Sequence, residues 1–419
     1  MGVGDLFQER QFGLFVHWGI YAIPAWHEQV QQRRPIPKAE YVQLVKQFNP
    51  VKYSPDAWLD LAEAAGMSYV CFTTKHHDGF CLWDTAFTDY SISHTPYGRD
   101  VLKMLAEACQ RRHFGLCLYY SCPDWHHPNA PKGNSHELLE LNPGDEPDED
   151  RYVDYVRHQV RELCSNYGRI LGFFWDIPQR RQEPSLNRLI RELQPGIMIN
   201  DRGYDKGDYD TPERTVPDGK RFPRATEANQ SVGRQSWGYR EQEDYYSHKL
   251  LMRSIDKIMA MGGNYLLNVG PRADGTLPPE AEASVRRVGA WYRKVEEALT
   301  AEPASDLLKR EDVMLTRRGN TLYVHFYNDP ECNGIHLNPL TERPRRAVVL
   351  NTGRELVTSV ERVPTLSIPP RMHNPCLHVR GIPANELVGE IIVLKLEFED
   401  LERAVQAARS GQAAQEFRY

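Results

Sequence analysis

The stretch SPDAWLDLAEAAGMSYVCFTTKHHDG, residues 54–79, joins an amphipathic segment to an apolar one. Ser54 can cap a helix that has Pro55 at its first position, and Gly66 follows the last apolar position as a terminator. The run YVCFTT that comes next is rich in β-branched and aromatic residues, which is typical of a buried strand. This stretch therefore predicts a helix followed by a strand, with polar residues directly after the strand.

The same alternation continues on both sides of this unit as far as residue 300. Apolar runs such as FGLFV, FGLCLYYS, ILGFFW, GIMI and YLLNVG alternate with amphipathic segments such as DVLKMLAEACQRR and RYVDYVRHQVRELC. Alternating strands and helices predict a mostly parallel sheet. No GxGxxG or Walker loop follows a strand, which favours a (β/α)8 TIM barrel over a doubly wound sheet. Residues 1–300 are predicted to form this α/β barrel.

The pattern changes after Glu302. Runs such as TLYVHFY, RAVVL and EIIVLKLEF are separated by turns and have no helices between them. Short strands of this kind predict a small antiparallel β-sandwich over residues 301–398. Residues 399–419 are predicted to form a terminal helical tail.

Composition and charge exclude several classes of function. The 419 residues are 41% apolar and carry a net charge of −6 without long runs of one sign, so the basic surface that nucleic acid requires is absent. The N-terminal sequence shows neither a signal peptide nor an apolar span long enough to cross a bilayer. A cytoplasmic protein with no nucleic acid or membrane partner is expected, or a secreted or periplasmic one if the sequence was trimmed. The eight cysteines include no CxxC pair and are expected to be buried free thiols.

Polar and aromatic residues concentrate at the ends of the predicted strands. In a barrel, these ends converge on the catalytic face. The residues that would meet there include His17, His76, His77, Tyr119, Tyr120, Trp175, Asp176, Asn200, Asp201 and Arg202. The common position of these residues predicts an active site at the barrel mouth.

Asp176 and the aromatic residues at the strand ends favour sugar chemistry, because sugar sites pair carboxylates with aromatic rings. Asp176 is the candidate nucleophile, because a strand delivers it to the barrel mouth beside aromatic residues. A retaining glycosidase needs a second carboxyl group ~5–5.5 Å from the first. Glu227, in a predicted strand end and loop, is the first candidate, and Glu213 in TPERTVP is the rival.

The histidines also permit a metal-dependent barrel hydrolase, in which His76, His77 and Asp176 bind the ion. Adjacent residues on a strand point to opposite faces, so neighbouring histidines share one ion only where the strand has ended. The chain has no HxH after the first strand and no HExxH motif. Hydrogen bonding to a substrate is therefore favoured for this pair, and no metal or other cofactor is expected.

Several motifs occur together and in order between residues 10 and 285. They are FGLFVHWGIYAIPA, AGMSYVCFTTKHHDGFCLWDT, GLCLYYSCPDW, ILGFFWD, SWGY and GGNYLLNVGPRADGTLPPE. In this combination the chain resembles the alpha-L-fucosidases, family 29 of the glycoside hydrolases. The resemblance implies a fucose-binding barrel followed by a β-sandwich, and retaining, exo-acting hydrolysis through a covalent fucosyl-enzyme. A fucosylated glycan or oligosaccharide is the implied substrate.

The resemblance also implies roles for single residues. Asp176 matches the nucleophile, and Glu227 is the preferred acid/base. The residues expected to bind fucose or line the site are His17, Glu28, His76, His77, Tyr120, Trp175, Arg214 and Trp237. Tyr119 is the alternative to Tyr120 if it is the tyrosine that points inward.

Two positions depart from the usual family pattern. The family usually has Gly after the nucleophile, where this chain has Ile177, and Gln29 replaces the usual Trp after Glu28. These differences change the loop behind Asp176 and remove one aromatic wall. A catalytically silent fucose-binding homologue and the metal-dependent hydrolase are the alternatives to the fucosidase.

Overall fold

The computed structural model describes residues 11–132, 136, 142–308, 311–362 and 375–406. Within these residues, seven parallel strands form one sheet. The strands are β1 (Phe12–Val16), β2 (Tyr69–Lys75), β3 (Gly115–Ser121), β4 (Gly172–Asp176), β5 (Met198–Ile199), β6 (Glu227–Ser231) and β7 (Asn264–Val269). The longer helices are α1 (Pro55–Ala64), α2 (Val101–Arg111), α3 (Glu149–Asn166), α4 (Pro184–Leu193), α5 (His248–Ala260) and α6 (Pro279–Leu299). The short helices Val30–Arg33 and Lys38–Tyr41 lie between β1 and α1.

The helix that the sequence predicts after Ser54 is confirmed. The Ser54 hydroxyl accepts a 3.2 Å hydrogen bond from the Ala57 backbone N–H, which satisfies one of the free donors at the start of α1. The chain turns after the helix at Gly66, whose φ of 90° lies in the left-handed region that favours glycine. Trp58 and Leu61 bury the apolar face of α1.

The parallel sheet curls into a barrel with one irregular side. Its strand order is β5-β4-β3-β2-β1-β7-β6, so β5 and β6 are the edges. Isolated parallel bridges pair Asn200 with Tyr209, Asp210 with Thr226 and Glu213 with Asn229. The segment 209–213 therefore lies between the end of β5 and β6, in the place of an eighth strand. The predicted barrel is confirmed, and this segment sets the position of Glu213.

The register of the strands brings their carboxyl ends to one edge. Val16 pairs with Phe72 on one side and Val269 on the other, and Ser121 pairs with Asp176. All residues of β1 to β4 are buried, as expected for strands covered on both faces. The polar residues that end or follow these strands consequently lie at the same rim.

The C-terminal region consists of antiparallel sheets. One has the order β13-β12-β16-β10-β9-β8 and the other the order β11-β15-β14. The strands are β8 (Glu302–Pro303), β9 (Met314–Arg318), β10 (Thr321–Phe326), β11 (Gly334–Leu337), β12 (Arg346–Val349), β13 (Arg354–Glu355), β14 (Val357–Glu361), β15 (Cys376–Arg380) and β16 (Ile392–Glu397). Both sheets contribute to one apolar core, which includes Leu315, Val324, Leu337, Leu377 and Leu394. The predicted sandwich is confirmed.

The chain divides into two compact units. The first comprises the residues up to Thr215 with Arg224–Tyr246 and Asn264–Arg287, and the second comprises Val216–Pro223, Ser247–Gly263 and the residues from Val288 onward. The predicted boundaries at residues 300 and 398 stay a prediction. Of the predicted tail, residues 401–406 are helical, and residues 407–419 lie outside the described residues.

The cysteines are free, and all are buried except Cys332. Among the described helices, none has the length and apolar character needed to cross a membrane.

Candidate active site

A pocket of about 140 Å³ opens at the carboxyl rim of the barrel. All of its lining residues belong to the first unit. They are Phe15, His17, Glu28, Gln29, His76, His77, Tyr119, His136, Phe174, Asp176, Ile177, Arg202, Glu213, Asn229 and Trp237. The pocket therefore combines carboxylates, imidazoles and aromatic rings.

Asp176 is the last residue of β4, and both of its carboxylate oxygens contact neighbouring side chains. The Tyr119 hydroxyl donates a 2.6 Å hydrogen bond to Oδ2, and the Arg202 guanidinium lies 2.9 Å from Oδ1. Nε2 of His77 lies 3.8 Å from Oδ2. Burial and the Asp176 charge raise the pKa of Tyr119 well above its ordinary value, so this phenol stays a hydrogen-bond donor. These contacts fix the plane of a carboxylate that faces the pocket.

Arg202 joins two acidic groups of the pocket. Its Nη1 donates a 2.8 Å hydrogen bond to Oε2 of Glu213, while its Nη2 contacts Asp176. Burial opposes the charge of the guanidinium, but the two carboxylates keep its pKa above the ordinary value. The sequence placed Arg202 at a strand end without selecting it as a site residue, because basic residues at strand ends carry no specific signal.

The predicted placement of Glu227 in a strand end and loop is wrong. Glu227 is the first residue of β6, pairs with Asn264 and does not line the pocket. Its carboxylate accepts a 2.6 Å hydrogen bond from the Tyr69 hydroxyl, and Tyr69 is the first residue of β2. Glu227 therefore lies at the amino-terminal end of the barrel strands, opposite the rim that carries Asp176. Burial raises its pKa to about 7, although hydrogen bonds from Tyr69 and Tyr209 act in the other direction.

The three predicted histidines do come together in the pocket. Strand β2 ends at Lys75, so His76 and His77 follow the strand and both side chains reach the pocket. Burial lowers the pKa of both well below its ordinary value, and it also lowers the pKa of His17. At neutral pH these imidazoles are consequently uncharged.

The histidines are oriented by neighbouring side chains. Nδ1 of His17 lies 2.7 Å from Oδ1 of Asn268, and Nδ1 of His77 lies 2.6 Å from the Ser121 hydroxyl. The His76 ring stacks on Tyr119, and its buried Nδ1 has no hydrogen-bond partner among the described residues. A buried polar atom without a partner is unfavourable, so this nitrogen is ready to bind a ligand hydroxyl.

Glu28 and Trp237 form one wall of the pocket. Oε2 of Glu28 accepts hydrogen bonds from the Ser236 hydroxyl at 2.6 Å and from the Trp237 backbone N–H at 2.9 Å. Burial acts to raise the pKa of Glu28, but His27, His76 and the Ser236 hydroxyl together lower it to about 2. Glu28 is thus an ionised anchor for the loop that carries Trp237, whose ring stacks against His17.

Three of the predicted substrate-binding residues also do not line the pocket. The Tyr120 hydroxyl donates to Gln159 on α3, and the Trp175 indole N–H donates to Asn187 on α4, so both face the outer helices. Side chains alternate along a strand, and Tyr119 and Asp176 take the inward positions. Arg214 lies over the outer part of the wall, with its guanidinium 4.3 Å from the centre of the Trp237 ring.

The pocket does not have the donor arrangement of a metal site. Within the described residues, the donor atoms of His76, His77 and Asp176 do not form a group close enough to share one ion. The geometry instead provides the carboxylates of Asp176 and Glu213 with a guanidinium between them, the ionised carboxylate of Glu28, and neutral imidazoles. These groups suit acid/base and nucleophilic chemistry on a polar substrate.

A curled parallel sheet with carboxylates and aromatic rings in a pocket at its carboxyl rim is an arrangement typical of barrel glycoside hydrolases. A sequence model of the family described as alpha-L-fucosidase matches residues 2–297. The chain therefore belongs to the alpha-L-fucosidases, family 29 of the glycoside hydrolases. The family that the sequence motifs indicate is confirmed.

Known relatives agree with this assignment over most of their length. The chain is 27% identical to tissue alpha-L-fucosidase of Bos taurus over 84% of this chain and 81% of that protein. Alpha-L-fucosidase isoenzyme 1 from Paenibacillus thiaminolyticus is 34% identical with a TM-score of 0.84, over 95% of this chain and 99% of that one. A GH29 alpha-L-fucosidase from Bacteroides thetaiotaomicron, solved as a trapped covalent intermediate, is 26% identical with a TM-score of 0.78, over 94% and 95% of the two chains.

Proposed function

We propose that this chain is a retaining, exo-acting alpha-L-fucosidase in which Asp176 is the nucleophile and Glu213 the acid/base. The observation that carries the proposal is the attachment of Asp176 and Glu213 to one guanidinium in one pocket. The covalent intermediate of the Bacteroides thetaiotaomicron relative supports retention. Glu213 replaces Glu227 in this role because Glu227 does not reach the pocket.

The reaction divides into two steps. In the first, Asp176 attacks the anomeric carbon while protonated Glu213 gives its proton to the departing oxygen. In the second, ionised Glu213 takes a proton from a water molecule, whose oxygen attacks the anomeric carbon and displaces the Asp176 carboxylate. Forming the ester removes the charge of Asp176, so Arg202 then attracts Glu213 alone.

The rest of the pocket binds and orients the sugar. Neutral His17, His76 and His77 can each exchange hydrogen bonds with sugar hydroxyls, since an imidazole offers one donor and one acceptor. Phe15 and Phe174 provide apolar surface for the methyl group of a 6-deoxy sugar. The pocket is smaller than the ~300–1,000 Å³ of sites for drug-sized ligands, which suits a single terminal residue.

The test uses an activated aryl alpha-L-fucoside. Asp176→Gly is expected to lose turnover while keeping the fold, and azide is expected to restore product as the beta-fucosyl azide. Asp201→Ala, next to the site but outside the pocket lining, is the matched control and keeps its activity. An alpha-configured azide would contradict the covalent mechanism. Absence of turnover by the unmodified chain would support the silent fucose-binding homologue instead.

A further inference from the structure

The three-stranded sheet of the C-terminal unit carries a cluster of His336, Glu361 and His378. Strand β15 is the central strand, and its His378 lies directly opposite His336 on β11 and Ser359 on β14. Glu361 follows Ser359 by two residues, so it projects from the same face of the sheet. The cluster thus collects one side chain from each of the three strands.

The opposite face of this sheet belongs to the apolar core. Ile335 and Leu337 flank His336 in the sequence, Leu377 and Val379 flank His378, and all four are buried in the core. His336, Glu361 and His378 are only partly buried. The cluster is therefore anchored on a rigid sheet and still reachable by a solute.

The donor atoms of the three side chains lie close together. The imidazole rings of His336 and His378 stack with their centres 3.9 Å apart, and Nδ1 of His378 contacts Oε1 of Glu361. One donor atom from each residue can be chosen so that all three lie within 4.8 Å of one another. Gly334 keeps space beside this group, because a Cβ at that position would lie 3.0 Å from Nε2 of His378.

We propose that His336, Glu361 and His378 form a binding site for a divalent transition metal ion of the zinc class. Two imidazoles and one carboxylate are ligands that Zn²⁺ accepts, with the remaining position left to water. Imidazole disfavours Mg²⁺ and Ca²⁺, which prefer oxygen ligands. Ligand bonds of about 2.0–2.2 Å require the donor atoms to approach one another, which partly exposed side chains can do by rotation.

The proposed ion would join three strands that are otherwise linked by backbone hydrogen bonds and core packing. It would hold β11 and β14 to β15 on the face that the core does not cover. Such an ion stabilises the folded state by binding it in preference to the unfolded chain. All three proposed ligands belong to the second unit, whereas the residues that line the active-site pocket belong to the first.

The experiment uses the full chain without an affinity tag, stripped with a chelator and then titrated with ZnCl₂ by calorimetry. We expect one strong site and a Tm that rises and saturates near one equivalent. His336→Ala, His378→Ala and Glu361→Gln should each weaken Zn²⁺ binding. The loss should exceed the ~10–100-fold that is typical when a residue hydrogen-bonded to a metal ligand is removed. His158→Ala, an exposed histidine on α3, is the matched control and should bind like the unmodified chain.

A spectroscopic readout identifies the ligands. Co²⁺ bound in place of Zn²⁺ should give visible absorption bands that disappear in His336→Ala. Fucoside turnover should be the same with and without chelator. Titration without a saturable site, or a strong site that survives in both histidine variants, would overturn the proposal.

Discussion

Asp176 and Glu213 are bound to the two terminal nitrogens of a single guanidinium, that of Arg202. The two contacts measure 2.9 and 2.8 Å. Asp176 ends a regular strand, whereas Glu213 belongs to the irregular segment that bridges to β6. One cation therefore connects a rigid and an irregular side of the barrel and holds both acids in one pocket.

Arg202→Lys should lower kcat/KM by roughly 10- to 100-fold, which corresponds to the ~1.5–3 kcal/mol of a hydrogen bond to a charged group. Lysine keeps the charge but cannot present two nitrogens in the fixed geometry that joins Asp176 and Glu213. Steady-state kinetics with an aryl fucoside measures the effect. Arg112→Lys, at a basic residue that binds Asp60 and Glu63 and does not line the pocket, is the control. Equal activity of Arg202→Lys and the unmodified chain would refute the shared-cation role.

Glu213→Ala should slow a natural oligosaccharide by ~10²–10⁴-fold and an activated aryl fucoside much less, because a good leaving group departs without a proton. Azide should accelerate the variant with the aryl substrate, since it replaces base-assisted water in the second step. Glu227→Gln is the comparison and should show neither effect. If the leaving-group dependence appears in Glu227→Gln and not in Glu213→Ala, the acid/base is Glu227.

The sequence predicted the barrel, the sandwich and the family because those follow from the order of strands, helices and motifs. It could not decide between Tyr119 and Tyr120. Successive side chains of a strand point to opposite faces of the sheet, and the sequence does not show which of the two tyrosines points into the barrel. The structure shows that the Tyr119 hydroxyl reaches Asp176.

The two glutamates show a second limit of the sequence. Glu227 was expected near a strand end, but a short polar strand such as EANQS has no apolar pattern to mark its start. Glu213 lies in a segment of single bridges, which has no regular strand pattern at all. Its place in the pocket depends on long-range pairing with Asn229, which only the folded chain shows.

His76→Ala and His77→Ala should each reduce kcat/KM by about 10- to 100-fold, because each removes a buried partner for a sugar hydroxyl worth ~1.5–3 kcal/mol. Burial lowers the pKa of both imidazoles well below its ordinary value of 6.5, so both are neutral at pH 7. Neither should therefore set the acidic limb of the pH profile near neutrality. Kinetics between pH 5 and 8 checks both points. His126→Ala, outside the pocket lining, is the control. Full activity in both pocket variants would remove them from substrate binding.

Glu227 should make the stability of the barrel depend on pH. Its pKa is raised from 4.5 to about 7 in the folded chain. The contribution of protonated Glu227 to the free energy of unfolding is therefore fully present below pH 4.5 and is lost as the pH rises through 7. The loss should be on the order of 3 kcal/mol. Glu227→Gln keeps the shape and cannot ionise, so the unmodified chain should lose stability relative to this variant between pH 5 and 8. Urea denaturation followed by tryptophan fluorescence measures the free energy of unfolding of both proteins at each pH. The same pH dependence in the two proteins would contradict the prediction.

Ile177 holds a backbone conformation that suits glycine. Its φ is 66°, in the left-handed region that costs a side-chain-bearing residue ~1–2 kcal/mol. Ile177→Gly should therefore be more stable than Ile177→Ala by about 1 kcal/mol, because both remove the side chain but only glycine relieves the strain. At Ile190, inside α4, Ile190→Ala should instead be more stable than Ile190→Gly by a similar amount, since glycine is a poor helix former. Thermal and urea denaturation of the four variants gives the comparison. If alanine is the more stable residue at both positions, the left-handed turn after the nucleophile carries no strain.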